Sequence, residues 1–148
     1  MDKTVITNSA EETQKLAEDL VQHLDKNFIA LFGNLGSGKT TFTQGMARGL
    51  GIEERVISPT FIIVREHKIK IQNSELRIEN FYHIDLYRIQ SNLGIEGLGL
   101  EEIIDDSKNI VVVEWAEKIK YILPKKRLEI YFEYLKKDKR KIIFKNYE

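Results

Sequence analysis

Cysteine is absent from the 148-residue chain, which excludes disulfides, thiolate metal sites and cysteine nucleophiles together. Long apolar runs are missing as well. The longest, Phe28-Ile29-Ala30-Leu31-Phe32, has five residues, against the roughly 18 or more that a membrane helix requires. Met1-Asp2-Lys3-Thr4 is not followed by the apolar segment of a secretory signal. A cytoplasmic protein with no membrane attachment is therefore expected. No repeat, low-complexity tract or Gly/Ser linker divides the sequence, so residues 1–148 read as a single domain. With 42% hydrophobic and 31% charged residues, long disorder is excluded too. A net charge of either sign is lacking, since 23 Lys+Arg balance 23 Asp+Glu. That balance hides an asymmetry. Glu117–Glu148 holds 11 basic and 5 acidic residues, net +6, leaving net −6 for the remainder. A basic end of this kind suits an acidic partner or RNA, or is simply a solvated face.

What is present reads as alternating elements. Ser9-Ala10-Glu11-Glu12 has the form of a capping box, and Leu16, Ala17, Leu20, Val21 and Leu24 share one helical face behind it. A helix over about Ala10–Leu24 follows. Asn27–Phe32 reads as a buried strand running into a glycine-rich turn at Gly33–Gly38, and Phe42, Met46 and Leu50 place a second helix over Lys39–Leu50 with Gly51 as its stop. After Ser58-Pro59-Thr60, the stretches Phe61–Lys70 and Leu76–Tyr87 flank Gln72-Asn73-Ser74 and suggest a long antiparallel pair. Gly94–Gly99 reads as a loop before a short acidic helix over Leu100–Asp106. Ile110–Val113 reads as a strand covered on both faces. Glu117–Ile122 is expected to be helical, stopping before Pro124. Leu128–Tyr134 and Lys141–Phe144 are strands joined by a turn at Lys136–Lys139. The expected fold is α/β, with a mixed parallel and antiparallel sheet flanked by helices.

Gly33-Asn34-Leu35-Gly36-Ser37-Gly38-Lys39-Thr40 matches G-x-x-x-x-G-K-[ST] at every fixed position. At average composition this pattern arises by chance about once in 200 chains of this length, and here a strand precedes it and an amphipathic helix follows. Glycines let backbone amides turn inward around phosphates, and the helix N-terminus adds its positive end. In such a loop the lysine, here Lys39, reaches the β- and γ-phosphates, while the hydroxyl of Thr40 ligates Mg²⁺. A P-loop NTPase is the expectation. The candidate nucleotide-binding residues are Gly33, Leu35, Gly36, Ser37, Gly38, Lys39, Thr40 and Thr41. No N-K-x-D tetrapeptide occurs, which favours adenine over guanine.

A P-loop also needs a carboxylate at a nearby strand end. Glu114 directly follows Ile110–Val113, and Asp85 lies in His83-Ile84-Asp85-Leu86-Tyr87-Arg88, where alternation puts His83, Asp85 and Tyr87 on one face. Either acid can serve the metal or the attacking water, or stand idle at the surface. Thr60 lies in a Ser-Pro-Thr segment that is either a γ-phosphate switch or an ordinary proline turn. Trp115, the only tryptophan, is a core anchor or a lid beside Glu114. Arg88 senses phosphate or pairs with an acid. His23 and His67 have no metal-ligand spacing and read as surface histidines.

Taken together, GNLGSGKTT at Gly33–Thr41, SPTF at Ser58–Phe61, HIDLYR at His83–Arg88 and the Glu114-Trp115 pair resemble the bacterial tRNA threonylcarbamoyladenosine-biosynthesis ATPase family (TsaE, formerly YjeE) over roughly residues 5–135. The P-loop alone is common to many families; the set is specific. The resemblance implies a small P-loop fold and slow Mg²⁺-dependent ATP hydrolysis. It implies action with the partner proteins TsaB and TsaD, TsaD placing threonylcarbamoyl on N6 of adenosine 37 in ANN-decoding tRNAs. Contact with tRNA would then come through the complex. By the motif match, Thr40 and Glu114 would bind Mg²⁺ with Asp85 close by as the catalytic or switch carboxylate. Lys39 and Gly36–Thr41 would bind the phosphates, with Thr60 and Trp115 near the γ-phosphate. The adenine contact falls loosely near residues 9–13, which carry no distinctive motif. A small-molecule kinase is a rival reading, but Gly94–Asp106 contains no Arg or Lys for a phosphate lid. A nucleotide-sensing module, in which hydrolysis is incidental, is the other.

Overall fold

The computed structural model describes residues 2–54, 64–73, 75–90 and 92–148, with the backbone alone at Asn92 and Leu93. In chain order the elements are β1 (Lys3–Thr7), α1 (Ala10–His23), β2 (Phe28–Phe32), α2 (Lys39–Gly49), β3 (Val64–Lys68) and β4 (Asn80–Asp85). They continue with α3 (Asn92–Glu96), α4 (Leu100–Asp105), β5 (Asn109–Glu114), a 3₁₀ helix (Ala116–Ile122), β6 (Arg127–Tyr134) and β7 (Arg140–Tyr147). One seven-stranded sheet runs β1-β7-β6-β2-β5-β4-β3. Its centre is parallel, β2 pairing with both β5 and β6 and β5 pairing with β4, while antiparallel strands close both edges. The mixed α/β architecture expected from the sequence is what forms.

Every residue of β5 is buried, as is all of β2 except its last, because a strand covered on two faces cannot alternate. One face carries Ile29, Leu31, Val112, Ile130 and Phe132 against Ala17 and Val21 of α1 and Phe42 and Met46 of α2. The other carries Ala30, Val111, Val113 and Ile84 against Ile95, Leu100 and Ile119. Helix α1 starts where the capping box predicts: Ser9 Oγ accepts from the Glu12 amide at 3.1 Å, and the Glu12 carboxylate accepts from the Asn8 amide at 3.0 Å.

Four expectations need correction. The strand β1 precedes α1, where the sequence reading places no element. The antiparallel pair is shorter than Phe61–Lys70 against Leu76–Tyr87: β3 and β4 pair only over Val64–Lys68 and Asn80–Asp85, and Phe61–Ile63 lie outside the described residues. Asn92–Glu96 forms a helical turn that runs into the expected Gly94–Gly99 loop and takes up its first three residues. His67 is buried rather than at the surface, 6.3 Å from the Phe81 ring, and burial lowers its pKa.

Helices α1 and α2 touch through glycine. A Cβ on Gly45 would lie 2.3 Å from the carbonyl oxygen of Gln14, which is backbone and cannot step aside. Gly45→Ala is therefore expected to cost about 1–3 kcal/mol by overpacking. At about 2–4 °C per kcal/mol for a chain of this size, the melting temperature falls by several degrees. Gly97→Ala, with nothing within 4 Å of the new methyl, should leave it unchanged. Thermal melts followed by circular dichroism read both.

Candidate functional site

The parallel register brings three chain segments to one place. Leu31 and Asp85 are both register partners of Glu114, so the carboxyl ends of β2, β4 and β5 lie side by side. In an open parallel sheet that edge is where ligands gather. The turn leaving β2 and the N-terminus of α2 complete the wall.

Gly36 and Gly38 take φ of 77° and 112°, the left-handed region that side chains disfavour. Gly38 caps α2 with no side-chain hydrogen bond, so the amides of the first turn stay available to an anion. Gly36, Gly38, Lys39, Thr40 and Thr41 line a cavity of about 160 Å³ together with Leu35, Asp85, Tyr87, Glu114, Trp115 and Arg140. That volume is below the roughly 300–1,000 Å³ of a site that encloses a drug-sized ligand. It suits a phosphate chain rather than a whole nucleotide. A larger hollow at the other end of the sheet is lined by Leu16, Leu20, Leu24, Leu128 and Phe144 together with Lys3, Asp19, His23, Asp25 and Asn146, and it shares no residue with the glycine-rich turn.

Lys39 is 4% exposed. Its ammonium donates to the Gly33 carbonyl and lies 3.8 Å from the centre of the Trp115 ring. Burial lowers its pKa, opposed by the carboxylates of Glu114, Glu117 and Asp85. An anion entering the cavity would meet a partly desolvated cation held by two weak partners.

The carboxylates are both buried, Asp85 6% and Glu114 2% exposed. Thr40 Oγ1 lies 3.2 Å from each oxygen of Glu114, and Glu114 Oε2 lies 2.5 Å from His83 Nε2. Asp85 Oδ1 accepts from the Tyr87 amide at 3.0 Å, which fixes the start of the following loop. A surface role for either acid is thereby excluded. Among the described residues no three His, Asp or Glu side chains cluster as a metal site. A divalent cation here would use the Thr40 hydroxyl, the Glu114 carboxylate and oxygens of its own ligand, the arrangement Mg²⁺ favours.

Trp115 adopts φ 63°, a strained value for a bulky residue. The strain turns the chain out of β5 and lays the indole between two environments. One side packs on the second core, and the other covers Lys39. Tyr87 lies 5.2 Å away, and Lys118 ties the loop down by donating to the carbonyls of Tyr87 and Ile89 at 2.6 and 2.7 Å. Arg88 is exposed and does not line the cavity. Thr60, with the rest of Ser58–Phe61, lies outside the described residues.

Arg140 is the residue that the sequence reading misses. It stands at the start of β7, its guanidinium 4.5 Å from the Tyr134 ring centre and its Nε 3.3 Å from where a Gly38 Cβ would be. Its Nε and Nη1 are buried without a hydrogen-bond partner. No motif marks it, and 100 residues of sequence separate it from Thr40. Only the β6–β2 and β6–β7 registers bring the hairpin beside the turn.

Comparison with known proteins places the chain in a family. The family described as "Threonylcarbamoyl adenosine biosynthesis protein TsaE" matches residues 7–142. The tRNA threonylcarbamoyladenosine biosynthesis protein TsaE of Bacillus subtilis is 39% identical over 140 residues, covering 93% of this chain and 82% of that protein. Its namesake from Rickettsia felis is 39% identical over 138 residues, covering 92% and 75%. The crystal structure of Bacillus subtilis YdiB superposes with a TM-score of 0.78 at 33% identity, covering all of this chain and 87% of that one.

Proposed function

The chain belongs to the TsaE family of tRNA threonylcarbamoyladenosine biosynthesis proteins, and from that premise we propose that it is the ATP-binding and ATP-hydrolysing subunit of the modifying machinery. In this reading it works with TsaB and TsaD proteins, which form the N6-threonylcarbamoyl group on adenosine 37 of ANN-decoding tRNAs. The observation that carries it is the contact between the Thr40 hydroxyl of the glycine-rich turn and the buried Glu114 carboxylate at a strand end, 3.2 Å to each oxygen. This hydroxyl–carboxylate pair is the donor set that P-loop enzymes present to nucleotide-bound Mg²⁺.

The chemistry follows from the side chains. The amides of Gly36–Thr41 and the ammonium of Lys39 hold the phosphates, with Arg140, whose Nε and Nη1 have no hydrogen-bond partner, as a second cation on the Gly38 side. Thr40 and Glu114 hold Mg²⁺, which when bound neutralises phosphate charge. Asp85, fixed by the Tyr87 amide, faces the same cavity and orients the attacking water. Trp115 and Tyr87 shield the phosphate end from solvent.

Nucleotide binding has a built-in reporter. Lys39 must leave the Trp115 face to reach phosphate, and Trp115 is the only tryptophan. ATP is therefore expected to change indole emission saturably, and Lys39→Ala should remove most of that change. Emission that does not respond to ATP would count against the placement.

The cavity is small and open to one side, which leaves room for a partner to complete it. Docking of TsaB and TsaD over this mouth is expected to depend on nucleotide, because a ligand shifts assembly only through differential affinity for two states. Capture by TsaB and TsaD should differ among ATP, ADP and no nucleotide. Equal capture in all three would leave constitutive assembly only. Reconstituted tRNA modification with and without the chain tests the function itself, and sustained turnover without it would overturn the proposal.

A further inference from the structure

His83 is wholly buried, and only one of its ring nitrogens is used. Nε2 lies 2.5 Å from Glu114 Oε2, whereas Nδ1 is buried without a partner. A histidine kept for packing alone would gain nothing from an orphaned nitrogen, because a buried polar atom without a hydrogen bond is destabilising. A short bond to a carboxylate offsets that cost. The backbone explains why the contact forms. His83 and Asp85 share one face of β4, and Asp85 is the register partner of Glu114. The imidazole therefore sits one pleat behind Asp85, alongside the Glu114 side chain.

We infer that His83 is the positioning residue of Glu114: its Nε2–H donates to Oε2 and keeps the carboxylate turned toward Thr40, setting the affinity of the site for Mg²⁺. The inference rests on the magnesium–nucleotide reading above. A carboxylate 2% exposed has few other donors. Among those described, the Thr40 hydroxyl is the second, at 3.2 Å to each oxygen, and it carries a single proton. With the imidazole removed, Glu114 would keep one donor and lose the constraint that aims it. Partners of metal-ligating groups usually matter by about 10–100-fold in metal affinity.

Which nitrogen makes the contact gives the test its discrimination. A glutamine amide nitrogen reaches where Nε2 stands, whereas an asparagine amide reaches only as far as Nδ1. ATP binding, read by Trp115 emission, is measured over a range of Mg²⁺ concentrations and in EDTA for the wild type, His83→Gln, His83→Asn and His83→Leu, with melting curves to check folding. The Mg²⁺ midpoint should rise about 10–100-fold in His83→Asn and His83→Leu and stay near the wild type in His83→Gln. Metal-free ATP affinity should be unchanged throughout. If His83→Leu does not fold, the glutamine–asparagine contrast decides. Wild-type Mg²⁺ titrations in folded His83→Asn overturn the assignment, as does an equal loss of ATP affinity in EDTA, which marks a merely structural residue. A wild-type protein whose ATP binding ignores Mg²⁺ would overturn the magnesium reading itself, and this assignment with it.

Discussion

Lys39→Ala should cut ATP hydrolysis by at least about 10²–10³-fold, the usual loss when one preorganised charge-stabilising donor is removed, while the protein stays folded. The two halves of this expectation have different origins. Lys39 is the buried cation at the start of α2, and among the described residues its ammonium contacts the Gly33 carbonyl and the Trp115 face, with Glu114, Glu117 and Asp85 acting on it as nearby charges. Those two contacts are weaker than a phosphate oxygen, so little of the fold depends on them. The lowered pKa of Lys39 points the same way, since burial disfavours its charged form. Removing the charge takes away a desolvated group that the free protein gains little from. In the nucleotide complex the same ammonium would meet charge developing on the transferred phosphoryl group, where a preorganised cation matters most. Arg140 cannot replace it, because it approaches from the Gly38 side and is anchored on Tyr134. ATP turnover and thermal melts on the same preparation check the prediction. Wild-type turnover in a folded Lys39→Ala protein would remove Lys39 from the site.

The parts of the fold that could be read from the sequence are those whose signals are local. The buried strand, glycine turn and helix at 28–49 combine a short apolar run, positive-φ glycines and four-residue spacing, and they form at the expected boundaries within a residue or so. The strand at 109–114 is equally plain because both its faces are covered. Pairing that depends on distant partners leaves weaker traces. Strand β1 shows little pattern, with Ile6 47% exposed and Thr7 buried, and it exists as a strand because β7 offers an edge. The segment from Ile69 to Glu79 misleads in the opposite way. Leu76 and Ile78 alternate as in a strand, but Gln72 takes the place of a neighbouring strand. Its side chain donates to the Ile78 carbonyl at 2.7 Å and accepts from the Ile78 amide at 3.3 Å. Ile78 is buried there with its backbone tied to a side chain rather than to a strand.

The same division holds for the candidate site. Lys39, Thr40, Asp85, Glu114 and Trp115 belong to local motifs, and the structure brings all five to one cavity. Arg140 and His83 are different. His83 lies inside a recognisable motif, yet its contact with Glu114 depends on the register of two strands 31 residues apart. Arg140 depends on two registers at once and on a glycine that leaves room for it. Alternation tells which face a residue takes. It does not tell what waits there.

Glu114→Gln and Asp85→Asn should separate the two carboxylates by opposite losses. Both replacements keep shape, which matters because both acids are buried and alanine would leave a cavity and orphaned donors. Glutamine at 114 can still accept from Thr40 but presents no charge to a divalent cation. The expected result is a loss of about 10–100-fold in Mg²⁺ affinity, with ATP binding in EDTA unchanged. Hydrolysis then falls because less of the metal-bound complex forms, and high Mg²⁺ restores much of it. Asparagine at 85 keeps an oxygen for the Tyr87 amide, so the loop after β4 stays in place. It loses the charge that orients and polarises water. A group acting on the attacking water contributes mainly in the transition state, so kcat should fall about 10²–10⁴-fold with little change in ATP affinity or Mg²⁺ midpoint. Added Mg²⁺ should not rescue it. Titrating ATP at several Mg²⁺ concentrations, alongside single-turnover hydrolysis, reads both effects. The geometry sets the direction of the split, since Thr40 touches Glu114 at 3.2 Å and the Tyr87 amide holds Asp85. If Asp85→Asn shifts the Mg²⁺ midpoint while Glu114→Gln leaves it in place, the two carboxylates have exchanged roles and Asp85 is the metal ligand.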